Sequence, residues 1–243
     1  MPTEIERIRE FKTGAKNQRD RGTKGYPRAL SSLQDAIAIA RDALAQSTVA
    51  EYRKQLAAEL SDCFGLVGGI QRRWADESSG GDDRAAHLVA SIRAYDEGFG
   101  IESDPQYGIV NSYNLVNRLV VRILLVPAAL GAPDPLVVAP EIASLNLTHE
   151  LEQASTTIRQ QLVGPRRGDY WAMADLALIE ILLGRASAAV AYADFIGTSP
   201  PDFAYTSALA SLRPLAALQL QRASVLDEAI HLLEGQLQRL RAR

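Results

Sequence analysis

The amino-acid sequence predicts an all-α chain of about ten helices, paired into four to five hairpins. Apolar residues recur at helical spacing almost throughout. Alternating strand patterns are absent apart from the short PLVVAP. Turn chemistry separates the helical runs, at GTKGYP (22–27), ESSGGDD (77–83), ESDPQYG (102–108), GAPDP (131–135), GPRRGD (164–169) and GTSPPD (197–202).

In chain order, residues 1–25 predict a basic N-terminal helix or arm. Residues 1–28 hold eight Lys or Arg against the four acids Glu4, Glu6, Glu10 and Asp20. The run LSSLQDAIAIARDAL places Leu30, Leu33, Ile37 and Leu44 close to one face. CFGLVGGIQRRW reads as a helix despite its glycines. Glycine inside a helix costs ~1 kcal/mol relative to alanine, so Gly68 and Gly69 suggest close backbone approach, as do Gly14 and Ala177 elsewhere. Residues 77–83 read as a flexible acidic loop, with Asp82 or Asp83 capping the next helix. YGIVNSYNLVNRLVVRILL (107–125) reads as one buried helix that nonetheless carries Asn111, Asn114, Asn117, Arg118 and Arg122. Asn146-Leu147-Thr148 matches a glycosylation sequon, read as chance where no secretory leader is visible. Ser199 before Pro200 predicts a cap followed by proline in the first turn. Residues 200–243, with LLEGQLQRL, predict C-terminal capping helices, and the whole chain 1–243 reads as one repeat domain.

A pattern recurs on every second predicted helix. A small residue is followed by a larger one four later and a third three after that: Ala29, Leu33, Ala36; Ser91, Tyr95, Gly98; Ala154, Ile158, Gln161; Ala188, Tyr192, Phe195; and Ala229, Leu233, Gln236. This spacing places all three on one helix face, where the small residue admits a neighbouring helix. KGYPRALSSLQDAIAIA, LGRASAAVAYADF and LDEAIHLLEGQL thereby resemble the turn and second helix of tetratricopeptide repeats. Successive units lie 62, 63, 34 and 41 residues apart, one of them at that family's period. The resemblance implies a right-handed α-α superhelix, a solenoid of degenerate hairpins. SDCFGLVGGIQRRW, DPQYGIVNSYNL and DYWAMADLALIEILLGRASAAVAYADF further resemble the TRAFs-binding domain. That helical-repeat region occurs in stress-activated MAP kinase kinase kinases and in free-standing bacterial proteins. This resemblance implies a regulatory or scaffold module that binds another protein, and no kinase signature accompanies it.

Composition narrows the function classes. The net charge of −3 does not favour nucleic acid as the main partner, leaving only the basic first segment as a candidate for it. One cysteine, Cys63, allows no intrachain disulfide and suits a reducing, cytoplasmic compartment; its apolar neighbours make it a core residue. Neither LVVRILLVPAALGAP nor PLVVAP reaches the ~20 apolar residues that span a bilayer, so no membrane role is expected. The isolated His87, His149 and His231 make no metal-ligand pattern. No phosphate loop or nucleophile motif is present, so neither cofactor nor enzyme activity is expected.

On a helix, Asn111, Asn114, Arg118 and Arg122 form one stripe. Amides pair with an extended peptide, and guanidinium forks suit carboxylate or phosphate. Gln71, Arg72 and Arg73 could extend the groove on one side and Tyr170, Trp171 and Asp175 on the other, with the two aromatics as anchors. The equal alternative is that the stripe bonds adjacent helices and loop carbonyls. The leading expectation is a non-enzymatic scaffold or regulatory subunit that binds a partner protein, such as an effector enzyme it controls. The alternative is a sensor that takes a small anionic ligand such as a nucleotide.

Overall fold

End chemistry sets the helices in the computed structural model, which describes residues 3–125, 146–218 and 223–242. Helix α1 (Glu4–Arg19) opens with a capping box: Glu6 N–H donates to Thr3 Oγ1 at 3.2 Å, and Thr3 N–H donates to Glu6 Oε2 at 2.7 Å. A 3-10 turn (Gly22–Lys24) leads to α2 (Tyr26–Gln46), which carries proline in its first turn. The long α3 (Ala50–Glu77) and α4 (Gly81–Ser103) follow, then α5 (Tyr113–Leu125). Next come α6 (Leu147–Val163), α7 (Tyr170–Leu182), α8 (Ser187–Gly197), α9 (Asp202–Ala216) and α10 (Ala223–Arg241). The described residues contain no strand, and none of their helices is long and apolar enough to cross a membrane. The PLVVAP run and the GAPDP turn lie outside them.

Several boundaries differ from the sequence expectation. Asp82 and Asp83 do not cap α4; Gly80 does, and the two acids sit in the first turn, where the helix dipole favours them. The connection between α3 and α4 is thereby shortened to residues 78–80. Ser199 is not an N-cap either. Two consecutive prolines push the chain out of helical geometry. Ser199 takes φ +53°, and α9 starts only after Pro201. Residues 107–112 are not helical: Gly108 turns the chain at φ +57°, and α5 starts at Tyr113. The Asn146 sequon has a structural role, since Asn146 Oδ1 accepts the His149 N–H at 3.2 Å and caps α6.

The helices form two compact units, residues 1–121 and 122–243. In the first, α1 packs on α2, α2 on α3 and α3 on α4, while α1 also reaches α3. In the second, α6 packs on α7, α7 on α8 and α9 on α10; α7 also meets α9, and α8 meets α10. The pairing of alternate helices is what stacked hairpins produce. The five small-residue positions fall on α2, α4, α6, α8 and α10, and Ala29, Ser91, Ala154, Ala188 and Ala229 are all buried. So are their larger partners Leu33, Tyr95, Ile158, Tyr192 and Leu233.

The basic first helix is part of this packing. Ile5, Ile8 and Ala15 enter the core. The almost buried Lys12 donates to Glu59 at 2.6 Å and to Asp62 at 2.8 Å on α3, and Arg9 donates to Glu59 at 2.6 Å. Cys63 sits in the same core, where burial pushes its thiol up to about 12, beyond use as a thiolate at neutral pH.

Glycines decide how closely α3, α4 and α5 meet. A Cβ on Gly68 would stand 2.8 Å from the Tyr95 ring, so only a bare backbone lets that ring lie flat on α3. A Cβ on Gly98 would stand 2.5 Å from the Asn114 amide. Gly14 makes no such crossing, because nothing lies within 4 Å of its Cβ position. Gly98→Ala is therefore expected to cost ~1–3 kcal/mol through overpacking, while Gly14→Ala should gain up to ~1 kcal/mol of helix propensity. Thermal melting distinguishes them, and equal melting of Gly98→Ala and wild type would refute the close crossing.

Candidate functional site

The polar groups of the α5 region face into the protein. Asn111 precedes the helix, and its Oδ1 accepts the backbone N–H groups of Ser112 at 2.8 Å and Tyr113 at 3.1 Å. Its Nδ2 donates to Glu102 Oε1 at 2.9 Å. Asn114 is 1% exposed and lies between Gly65 and Gly98, whose missing side chains provide its space. Its Nδ2 donates to Ser61 Oγ at 2.9 Å and to Glu102 Oε1 at 2.7 Å, and Ser61 Oγ donates to the same oxygen at 2.8 Å. Asn117 returns a bond to the Tyr113 carbonyl at 2.8 Å. Arg118 reaches Asp96 at 3.3 Å and stacks 4.1 Å over the Phe99 ring. In the second unit, buried Arg122 holds both oxygens of Glu150, at 3.2 and 2.9 Å.

The continuous ligand-facing stripe expected from the sequence is therefore corrected. Asn111 is off the helix, and Asn114 and Arg122 are out of solvent. All four residues, Arg118 included, bond groups of their own chain. The physical reason is desolvation: a buried amide or guanidinium persists only where it finds partners.

The remaining nominated residues divide between the units. In the first, Gln71 Oε1 lies 2.7 Å from His87 Nδ1, and the His87 ring stacks on Trp74 at 4.3 Å. Arg72 is nearly buried. In the second, Asp169 caps α7 by accepting the N–H groups of Trp171 at 2.8 Å and Ala172 at 3.3 Å, which fixes where the next two aromatics stand. Tyr170 and Trp171 lie 5.1 Å apart, and Phe203, which sequence reasoning missed, joins Trp171 at 6.0 Å from the start of α9. Trp171 is 36% and Phe203 58% exposed, so these rings form an apolar surface rather than core. Asp175, one turn on from Trp171, is half-buried; after burial itself it is the second cause raising the Tyr192 hydroxyl above its ordinary pKa.

Glu180 anchors the second unit. It is fully buried, with oxygens bonded to Ser155, Ser187, Arg159 and Arg185. Burial alone would raise its pKa, but the two hydroxyls and two guanidinium groups outweigh it and hold the carboxyl below the usual 4.5. Among the described residues no group of His, Cys, Asp or Glu is arranged to hold a metal ion.

Hairpins stacked with close small-residue crossings on every second helix define a tetratricopeptide-like helical-repeat protein. Residues 4–122 match the family model described as Tetratricopeptide Repeats-Sensor, a stretch that ends at the boundary of the first unit. No curated protein and no solved structure matches the chain.

The Glu180 network makes a sign-definite prediction. A depressed folded-state pKa gives stability that is present above the unfolded value and lost as pH falls. Glu180→Ala leaves the Ser155 and Ser187 hydroxyls without their acceptor and takes one carboxylate from two half-exposed arginines, at a cost of ~1–3 kcal/mol. The variant should melt well below wild type at neutral pH, and the gap should narrow below pH 4.5. A gap unchanged down to strongly acidic pH would show that the carboxylate charge is not what holds the site.

Proposed function

We propose that this chain is a non-catalytic binding module that captures a partner protein and regulates it, as a scaffold or regulatory subunit of a signalling or defence effector. The observation that carries this reading is the surface of exposed Trp171 and Phe203 beside half-buried Tyr170, set at the N-terminal ends of the two neighbouring helices α7 and α9. Tyr and Trp are the side chains that most often dominate interface energetics, and rigid paired helices hold them with little entropy left to lose. The tetratricopeptide-like architecture supports the same reading, since such stacks present extended faces to partners. The resemblance to the TRAFs-binding domain supports a regulatory role on an effector enzyme, in a cytoplasmic and bacterial setting. Asn111, Asn114, Arg118, Gln71 and Arg72 support the fold of the first unit, and Arg122 that of the second.

Affinity capture from the native host, read by mass spectrometry, tests the proposal. Trp171→Ala/Phe203→Ala should abolish capture of a protein that wild type enriches, while melting within ~2 °C of wild type, because the substituted rings are partly solvated. A partner retained by the variant would place the contact elsewhere.

A second reading, a sensor of a small anionic ligand, is favoured by the description of the family model that covers residues 4–122. Arg118 and Arg122 already face Asp96 and Glu150, so an anion at either guanidinium would have to displace a carboxylate. A ligand present at a hundredfold its Kd stabilises by ~2.7 kcal/mol, readily seen as a thermal shift. Absence of any shift with millimolar nucleotide would remove this reading.

A further inference from the structure

Two buried acceptors of the cluster around Asn114 are left over once its other bonds are made. Glu102 is 7% exposed, and its Oε1 takes three donors, from Ser61, Asn111 and Asn114. Its Oε2 takes none, and neither does the equally buried Asn114 Oδ1. These are the second oxygen of one carboxyl and the remaining polar atom of the amide already bonded to it at 2.7 Å. Two acceptors cannot bond each other without a hydrogen, and a buried unmade bond costs far more than a made one gains. A carboxylic acid and a primary amide have a complementary arrangement in which the amide N–H meets the acid C=O and the acid O–H meets the amide C=O. One half of that ring is already present.

We infer that Glu102 carries a proton on Oε2 and donates it to Asn114 Oδ1, closing a cyclic acid–amide pair that latches α5 onto α4. The proton comes from solvent, and no other group changes its ionisation. None of the three donors to Glu102 is cationic, so nothing in its hydrogen-bond shell compensates a buried negative charge. From α3 the titratable neighbour is Asp62, whose charge is held by Lys12 of α1; Lys12 in turn is shared with Glu59, which Arg9 also bonds. The segment before α5 brings the Asn111 amide, and α5 brings the Asn114 amide. Burial and then Asp62 push the Glu102 carboxyl upward, against the lowering pull of its hydrogen bonds to Ser61, Asn114 and Asn111. The folded state therefore binds a proton that the unfolded chain has lost, so this contribution to stability falls as pH rises above 4.5. Deprotonation leaves the cluster with one negative charge, one broken bond and α5 held less tightly.

Glu102→Gln tests the latch because its amide supplies both bonds without a proton. Melting temperatures of wild type and variant would be compared from about pH 5 to about pH 9. The variant should gain on wild type by about 3 °C across that range. Infrared difference spectra of wild type against Glu102→Gln at neutral pH should show a protonated-carboxyl band in wild type alone. A melting gap independent of pH, a variant that fails to fold, or the absence of that band would each overturn the inference.

Discussion

Burying a primary amide costs free energy for each polar atom left without a partner, and Asn114 is buried where three elements meet. Much of the first unit follows from that constraint. Gly98 is bare because the amide occupies the space of its side chain, and Gly65 because the amide and the Tyr113 ring together occupy that of its own. Ser61 and Glu102 are polar within an apolar core because the amide donates to both. Asn111 turns the chain at the start of α5 while its own amide joins the same carboxyl. Hydrophobic burial supplies most of the stability of such a hairpin. The amide cluster adds specificity of register, because a helix shifted by one residue would leave it unbonded.

Glu102 and Glu180 show how environment gives one residue type two opposite behaviours. Each is buried and bonded to hydroxyls or amides. Two arginines face Glu180, and its carboxyl is driven towards ionisation; hydroxyl and amide donors alone bond Glu102, and it is driven the other way. At Glu102 the first unit is therefore favoured by a proton, where at Glu180 the second is weakened by one. The stability of the whole chain against pH is a sum of terms with opposite slopes.

The fold was legible in the sequence wherever structure follows from local spacing. The triplets of Ala29, Ser91, Ala154, Ala188 and Ala229 mark every second helix, because helix crossings demand small residues at fixed intervals. Helix ends were less legible: Ser199 fails as a cap because Pro200 and Pro201 constrain the backbone around it, a conflict between two local rules. Gly14 resembled Gly68 in sequence, yet it crosses nothing; only the neighbouring helix distinguishes them. The polar stripe was the least legible. Spacing puts Asn114, Arg118 and Arg122 on one face, but whether a face meets water or a partner helix depends on distant residues such as Glu102, Asp96 and Glu150. The same limit hid Phe203, which reaches Trp171 only through the packing of α9 beside α7.

The fit of Asn114 between two glycines also constrains how such a chain can evolve. An alanine at position 98 collides with the amide, yet the same alanine would occupy vacated space if position 114 had first become small. The order of substitution therefore decides whether each step is tolerated. Lineages that keep the amide are held to glycine at position 98, and those that lose it are released there, whereas position 65 is also held by the Tyr113 ring, 2.9 Å from where its Cβ would stand. Across a set of homologous sequences, positions 98 and 114 should change together or not at all.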